Sequence, residues 1–192
     1  MAKTYQCEAC GEGVTGYEVN LGGMTEVRCL SCGLPLERRP QGAPVRFRRV
    51  LVADDSAFFT QSLESFLLSR GLAGEVLVAR DGAEAVERAT AALKDRKPVS
   101  LAVLDFLMPR LNGLHAAVAL RAVERAFGPH RCAIIFLSSR KIDEGFRPIL
   151  DELMPAYYVN KGAGEGGLLG DRLEGILRAV APPAAREDPR PA

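Results

Sequence analysis

Between Val50 and Asn160 the chain repeats one pattern: a short apolar run, then a longer stretch whose apolar residues recur every three or four positions. The runs are Val50–Ala53, Val76–Ala79, Leu101–Leu104, Ile134–Leu137 and Tyr157–Asn160. Runs of that length without polar alternation are expected of strands buried on both faces, as in a parallel sheet. After the first run, Ser56 is placed to cap a helix, and Phe59, Leu63, Phe66 and Leu67 follow at helical spacing until Gly71. Asp81-Gly82 reads as a turn into a helix over Ala83–Leu93, and Gly113–Phe127 as a helix stopped by Gly128-Pro129. A fourth helix near Ile142–Leu153 is interrupted by Gly145 and Pro148. Leu168, Leu169, Leu173, Ile176, Leu177 and Val180 mark the last. Five strands and five helices in strict alternation predict an α/β fold with a doubly wound parallel sheet.

The flanks are different in kind. Residues 1–36 are rich in Gly, hold four of the five cysteines and show little helical periodicity, so they read as a small separate domain. Residues 37–48 form a basic Pro/Gly linker with Arg38, Arg39, Arg46 and Arg48, continued by Arg49. The larger domain is expected over residues 49–180, and the tail 181–192, with four prolines, is expected to be disordered. Across 192 residues, 25 basic side chains meet 24 acidic ones, so no bulk field favours nucleic acid or an anionic membrane. No apolar stretch reaches bilayer length, and Met1-Ala2-Lys3-Thr4 lacks the apolar core of a signal peptide, which points to the cytoplasm. In that compartment cysteines serve metal binding or burial rather than disulfides.

Four of the apolar runs stop on a polar group: Asp54-Asp55, Asp105, Ser138 and Lys161. In an open α/β sheet ligands bind beyond the carboxyl ends of the strands, so these side chains are expected to converge on one edge. A carboxylate can accept a phosphoryl group as a mixed anhydride, but nucleophile and donor are both anionic. A divalent cation relieves that repulsion, and Mg²⁺ takes one or two carboxylates together with phosphate and water. Asp54, Asp55 and Asp105 have the right number and hardness for it. Lys161 would balance the phosphoryl oxygens and Ser138 would donate to one of them.

At these residues the sequence resembles a known family. Val50-Leu51-Val52-Ala53-Asp54-Asp55-Ser56, Ala79-Arg80-Asp81-Gly82-Ala83-Glu84-Ala85, Leu104-Asp105-Phe106-Leu107-Met108-Pro109-Arg110-Leu111-Asn112-Gly113 and Ile134-Ile135-Phe136-Leu137-Ser138 are similar to the receiver domain of two-component response regulators, over about residues 48–180. The resemblance implies a flavodoxin-like sheet of strand order 2-1-3-4-5. It implies Asp105 as phosphoacceptor, Asp55 as direct Mg²⁺ ligand, Asp54 acting partly through water, and the Leu107 carbonyl completing the set. Ser138 and Lys161 take the switch-hydroxyl and phosphate-sensing places, and Tyr158 the aromatic switch position. Phosphorylation would pull Ser138 inward, let Tyr158 into the vacated space, and alter partner surfaces around the fourth and fifth strands and helices. Plainer readings stand beside these: Ser138 as a helix cap, Tyr158 as a packed ring. The family's usual proline after the lysine is replaced by Gly162, and Met154-Pro155-Ala156 stands where a Gly-Ala pair is common. Leu107 and Arg140 are expected near the phosphate, restricting water and slowing autodephosphorylation. A haloacid-dehalogenase phosphatase would need an acid two residues after its nucleophile, where this chain has Leu107.

Cys7-Glu8-Ala9-Cys10-Gly11 and Cys29-Leu30-Ser31-Cys32-Gly33 repeat CxxCG. Two residues between thiolates let both sulfurs face one ion, and the glycine permits the tight turn that follows. Four soft ligands suit structural Zn²⁺, which would stabilise a piece too small for its own core, and the module resembles a zinc ribbon. A redox dithiol pair or an iron–sulfur centre are the competing uses of the same spacing. Gly22-Gly23 is placed as the turn of a hairpin between Tyr17–Leu21 and Thr25–Arg28. Glu8, Glu12, Glu18 and Glu26 argue against a DNA footprint, and Cys132 reads as a buried small hydrophobe.

The expectation is a response regulator, not an enzyme, that takes a phosphoryl group on Asp105 from a histidine kinase or phosphotransfer protein and signals to a downstream protein. A homodimer formed on phosphorylation is compatible with it, and a membrane partner is not expected. The alternatives are a non-phosphorylated receiver acting as a scaffold, and a nucleic-acid-binding regulator working through ribbon and linker.

Overall fold

The N-terminal residues form three antiparallel strands, β1 (Thr4–Cys7), β2 (Glu12–Leu21) and β3 (Met24–Cys29). The computed structural model describes residues 3–21, 24–36, 46–139, 146–162 and 169–181. Gly22-Gly23, the linker through residue 45, Arg140, Gly145, Leu168 and the tail beyond residue 181 lie outside them. Strands β2 and β3 pair from Gly16↔Cys29 to Leu21↔Met24, the two flanks of the expected hairpin. Strand β1 has no counterpart in the hydrophobic pattern, because of its four residues only Cys7 is buried.

The main sheet contains β4 (Phe47–Ala53), β5 (Ala73–Ala79), β6 (Leu101–Asp105), β7 (Ala133–Ser138) and β8 (Ala156–Asn160), all parallel, in the order β5-β4-β6-β7-β8. Counted within the sheet this is 2-1-3-4-5, the order the resemblance implied. Strand β4 takes in Phe47 and Arg48, assigned to the linker from sequence, because Phe47 is buried in the core. Helices α1 (Ala57–Ser69), α2 (Gly82–Lys94), α3 (Gly113–Phe127), α4 (Arg147–Glu152) and α5 (Leu169–Val180) connect or follow the strands. Pro148 does not interrupt α4; it sits in the first turn, where its missing N–H has no helical partner to lose. No helix among the described residues is long and apolar enough to cross a membrane.

The helix starts hold the strand ends in place. Ser56 caps α1 through its Oγ, 3.3 Å from the Phe59 N–H, and Asn112 caps α3 by accepting from the His115 N–H. At Gly113 the backbone passes so close to strand β6 that a Cβ would lie 2.2 Å from the Asp105 carbonyl, which accounts for the glycine. Asp81 caps α2, accepting from the Ala83 and Glu84 N–H groups at 2.9 and 3.0 Å and pairing with Arg110. The Glu84 N–H and then the Arg110 guanidinium hold the Asp81 carboxyl below its ordinary range. A carboxyl depressed on folding stabilises above its unfolded pKa of about 3.9, and that share is lost as pH falls through the folded value. Asp81→Ala is expected to lower stability by about 1 kcal/mol near neutrality, with the difference from wild type shrinking below about pH 4 in urea titrations.

A buried ion pair clamps the opposite end of the sheet. Arg121 and Glu124 on α3 are 3% and 5% exposed, with Nη1 2.6 Å from Oε2. Arg121 also donates to the carbonyls of Leu153, Cys132 and Pro155, while Glu124 Oε1 accepts the Cys132 N–H at 2.8 Å. The remaining polar atoms of the pair thus hold the residues that lead into β7 and β8. Glu124→Ala leaves the guanidinium buried without its counter-ion and is expected to cost about 3–5 kcal/mol in urea unfolding, far more than the isosteric Glu124→Gln.

Candidate functional site

The carboxyl ends of β4, β6, β7 and β8 lie together, and Lys161, the first residue beyond β8, joins them. Its ammonium is 2.7 Å from Asp54 Oδ2 and 2.6 Å from Asp105 Oδ1, and lies over the Phe59 ring, 4.3 Å from its centroid. Burial opposes the charge on Lys161, yet the hydrogen bonds to Asp105 and Asp54 outweigh it and hold the amine above its usual range. Two carboxylates against one ammonium leave the trio with a net negative charge.

Local structure fixes each member. Asp54 Oδ1 accepts the Ser56 N–H at 2.9 Å, just before the α1 cap. Asp105 Oδ2 accepts the Leu107 N–H at 2.8 Å. The Lys161 N–H donates to the Ser138 carbonyl at 2.7 Å, tying the ends of β7 and β8. Asp54 and Ser138 are buried, whereas Asp55 is exposed at the same strand end and Leu107 is 55% exposed. Tyr158 sits apart from the charges: its buried ring packs edge-to-face on Phe106 and Phe146, both at 5.9 Å between centroids. Phe106 and Phe146 are themselves 5.4 Å apart, so an aromatic cluster begins one residue after Asp105 and ends at Tyr158. Arg140 lies outside the described residues.

The sequence pattern marks Phe59 only as part of the apolar face of α1 and singles out neither Phe106 nor Phe146. Phe106, next to Asp105, was the one that adjacency could have flagged. As a donor set, Asp54, Asp55, Asp105 and the Leu107 carbonyl are all oxygen, and two of the carboxylates already share a cation at hydrogen-bond distance. That chemistry fits a hard divalent ion.

A second cluster lies in the N-terminal strands. The sulfurs of Cys7, Cys10, Cys29 and Cys32 fall within 4.8 Å of one another, and all four cysteines are free of disulfides. Cys7 and Cys32 sulfurs are 3.4 Å apart, Cys10 and Cys29 3.8 Å. A tetrahedral ion with metal–sulfur bonds of about 2.3 Å would set them about 3.8 Å apart, close to these two separations. Hydrogen bonding with Cys10 draws the Cys7 and Cys29 thiols down and pushes Cys32 up, while bonding with Cys29 pushes Cys10 up. Cys132, by contrast, is isolated in the core, and burial pushes its thiol up to about 12.

The sequence profile of the response regulator receiver domain matches residues 50–166. Over 76 residues the chain is 43% identical to the transcriptional regulatory protein PrrA of Mycobacterium tuberculosis, covering 40% of this chain and 30% of that protein. It is 38% identical over 85 residues to the chemotaxis protein CheY of Treponema pallidum, covering 43% of this chain and 53% of that one. The matched segments thus span about a third of the first of these relatives and about half of the second. Among solved structures, the receiver domain of the histidine kinase CKI1 from Arabidopsis thaliana, complexed with Mg²⁺ and BeF₃⁻, superposes with a TM-score of 0.58 at 24% identity, over 69% of this chain and 89% of that one.

Proposed function

This chain belongs to the response regulator receiver family, and from that membership we propose that it is a signalling switch set by a phosphoryl group on Asp105. The observation that carries the reading is the shared ammonium: Lys161 bridges Asp54 and Asp105 at 2.7 and 2.6 Å at the carboxyl end of the sheet. In this reading Asp54, Asp55, Asp105 and the Leu107 carbonyl hold Mg²⁺, which when bound neutralises charge between carboxylate and donor. An Asp105 carboxylate oxygen attacks phosphorus, the donor's phosphorus–nitrogen bond breaks, and the imidazole of a histidine kinase or phosphotransfer protein leaves. Both Asp105 oxygens are already engaged, one by Lys161 and one by the Leu107 N–H. Each oxygen keeps a further lone pair to attack phosphorus or meet the cation, and the Lys161 ammonium lies where it can balance charge on the phosphoryl oxygens. Ser138 takes the remaining donor role and Tyr158 reports the change to the aromatic cluster.

The four cysteines hold structural Zn²⁺ in this reading, supported by the repeated CxxCG and by a cage of the right dimensions. The protein works in the cytoplasm and passes its signal by protein contact, not by catalysis. Incubation with acetyl phosphate and Mg²⁺ should add one phosphoryl group by intact mass, and chelation of Mg²⁺ should prevent it. Phosphoryl-free protein after Mg²⁺ incubation would overturn the reading in favour of a constitutive scaffold.

A further inference from the structure

The two edges of the main sheet are treated differently. Strand β5, at one edge, has Gly74 and Glu75 exposed and Val76, Leu77 and Val78 half-buried. Strand β8, at the other, has no residue more than 9% exposed. Its cover is the cysteine module. The Tyr158 N–H donates to the Cys32 carbonyl at 3.2 Å and the Asn160 N–H to the Ala9 carbonyl at 3.3 Å. These are alternate amides of the strand, facing away from β7, so each CxxC loop caps one open position of the edge.

Two arginines fasten the contact. Arg172 on α5 donates to the carbonyls of Glu8, Ala9 and Asn160, each at 3.1 Å, so one guanidinium joins the first loop to the end of β8. Arg147 on α4 donates to the Cys29 carbonyl at 3.2 Å and stacks over the Tyr17 ring at 4.5 Å. Apart from Asn160, every acceptor is a backbone carbonyl of a CxxC loop, and those carbonyls keep their directions only while the loops keep their shape. Metal at the thiols would hold the loops in that shape.

The same strand carries the phosphoryl machinery. Asn160 is held three ways: its N–H by Ala9, its carbonyl by Arg172 and its side-chain oxygen by the Gly162 N–H at 2.8 Å. The next residue is Lys161. A second route runs from Asp105 through Phe106 to Tyr158, whose amide is bound to Cys32. We infer that the metal-loaded cysteine module is the resident partner of the β8–α4–α5 face, and that by fixing Asn160 and Tyr158 it preorganises Lys161, so metal at the thiols and a phosphoryl group at Asp105 strengthen each other. The inference rests on the proposed function above. A site whose charged partner is already in position loses less freedom on binding, and the linkage acts equally in both directions.

The test uses the full chain, beryllofluoride with Mg²⁺ as phosphoryl mimic, and Zn²⁺ affinity by chelator competition. In wild type, Zn²⁺ should tighten beryllofluoride binding by about fivefold or more, and beryllofluoride should tighten Zn²⁺ by the same factor. The double variant Arg147→Ala/Arg172→Ala touches neither ligand set; it should bind both and lose the coupling. Amide hydrogen exchange supplies a readout independent of phosphorylation: Tyr158 and Asn160 should be protected with Zn²⁺ and lose protection on chelation or in the double variant. Equal affinities with and without the other ligand in wild type overturn the inference alone, as does coupling that survives in the double variant. Beryllofluoride that binds no form of the protein overturns the phosphoacceptor reading and this inference with it.

Discussion

The Asp105→Asn protein should take up no phosphoryl group from acetyl phosphate, with intact mass unchanged after an incubation that labels wild type. An amide offers no anionic oxygen to attack phosphorus, and no carboxylate nearby replaces it in position: Asp54 is buried with Oδ1 held by the Ser56 N–H. The loss should not reflect unfolding. Lys161 keeps Asp54 as its counter-ion, and the trio of two carboxylates and one ammonium becomes a neutral pair. Asp105→Asn is therefore expected to unfold in urea at the same midpoint as wild type or a higher one. Lys161→Ala should retain labelling but slow it by about a hundredfold, the order lost when one preorganised charge is removed from a developing anion. A variant at Asp105 that still gains the phosphoryl mass would show that another residue is the acceptor.

The second large effect belongs to the thiols. Cys29→Ser should abolish bound zinc by elemental analysis and leave strands β1–β3 open to protease, while the strands of the main sheet stay resistant. Structural zinc contributes about 10–16 kcal/mol in isolated modules of this kind, and three strands of this size bury too little apolar surface to fold without it. Cys132→Ser is the control: Cys132 stands outside the cluster, 2% exposed, and its loss should leave the zinc content unchanged. Zinc retained in full by Cys29→Ser would remove the cysteine cage from consideration.

The sheet was legible because its strands, the β5 edge apart, are buried on both faces and all are written as continuous apolar runs, and their polar ends name Asp54, Asp105, Ser138 and Lys161 directly. Strand β1 was not, since three of its four residues are exposed or half-buried and it pairs antiparallel with the adjacent β2 through backbone groups that leave no side-chain pattern. The start of α4 was misread because a proline carries opposite meanings in the middle and the first turn of a helix. Arg121, Arg147 and Arg172 left no trace in the pattern: each acts by donating to backbone carbonyls far away in sequence, and a carbonyl has no residue signature. The same holds for the contact between the two modules. Each half was readable alone from its motifs, but nothing in either motif says that one covers the other's edge.

The unequal margins of the sheet have a consequence for self-association. Within the main sheet, with β8 capped at Tyr158 and Asn160, β5 is the edge left open among the described residues, so two molecules meeting there use up both edges and stop at a pair. On the zinc reading proposed above, loss of the metal would free β8 as well, and contacts alternating between the two edges would then continue without closing. Zinc-starved protein should then scatter light as growing fibrils, whereas the metallated form stays a discrete particle at equal concentration.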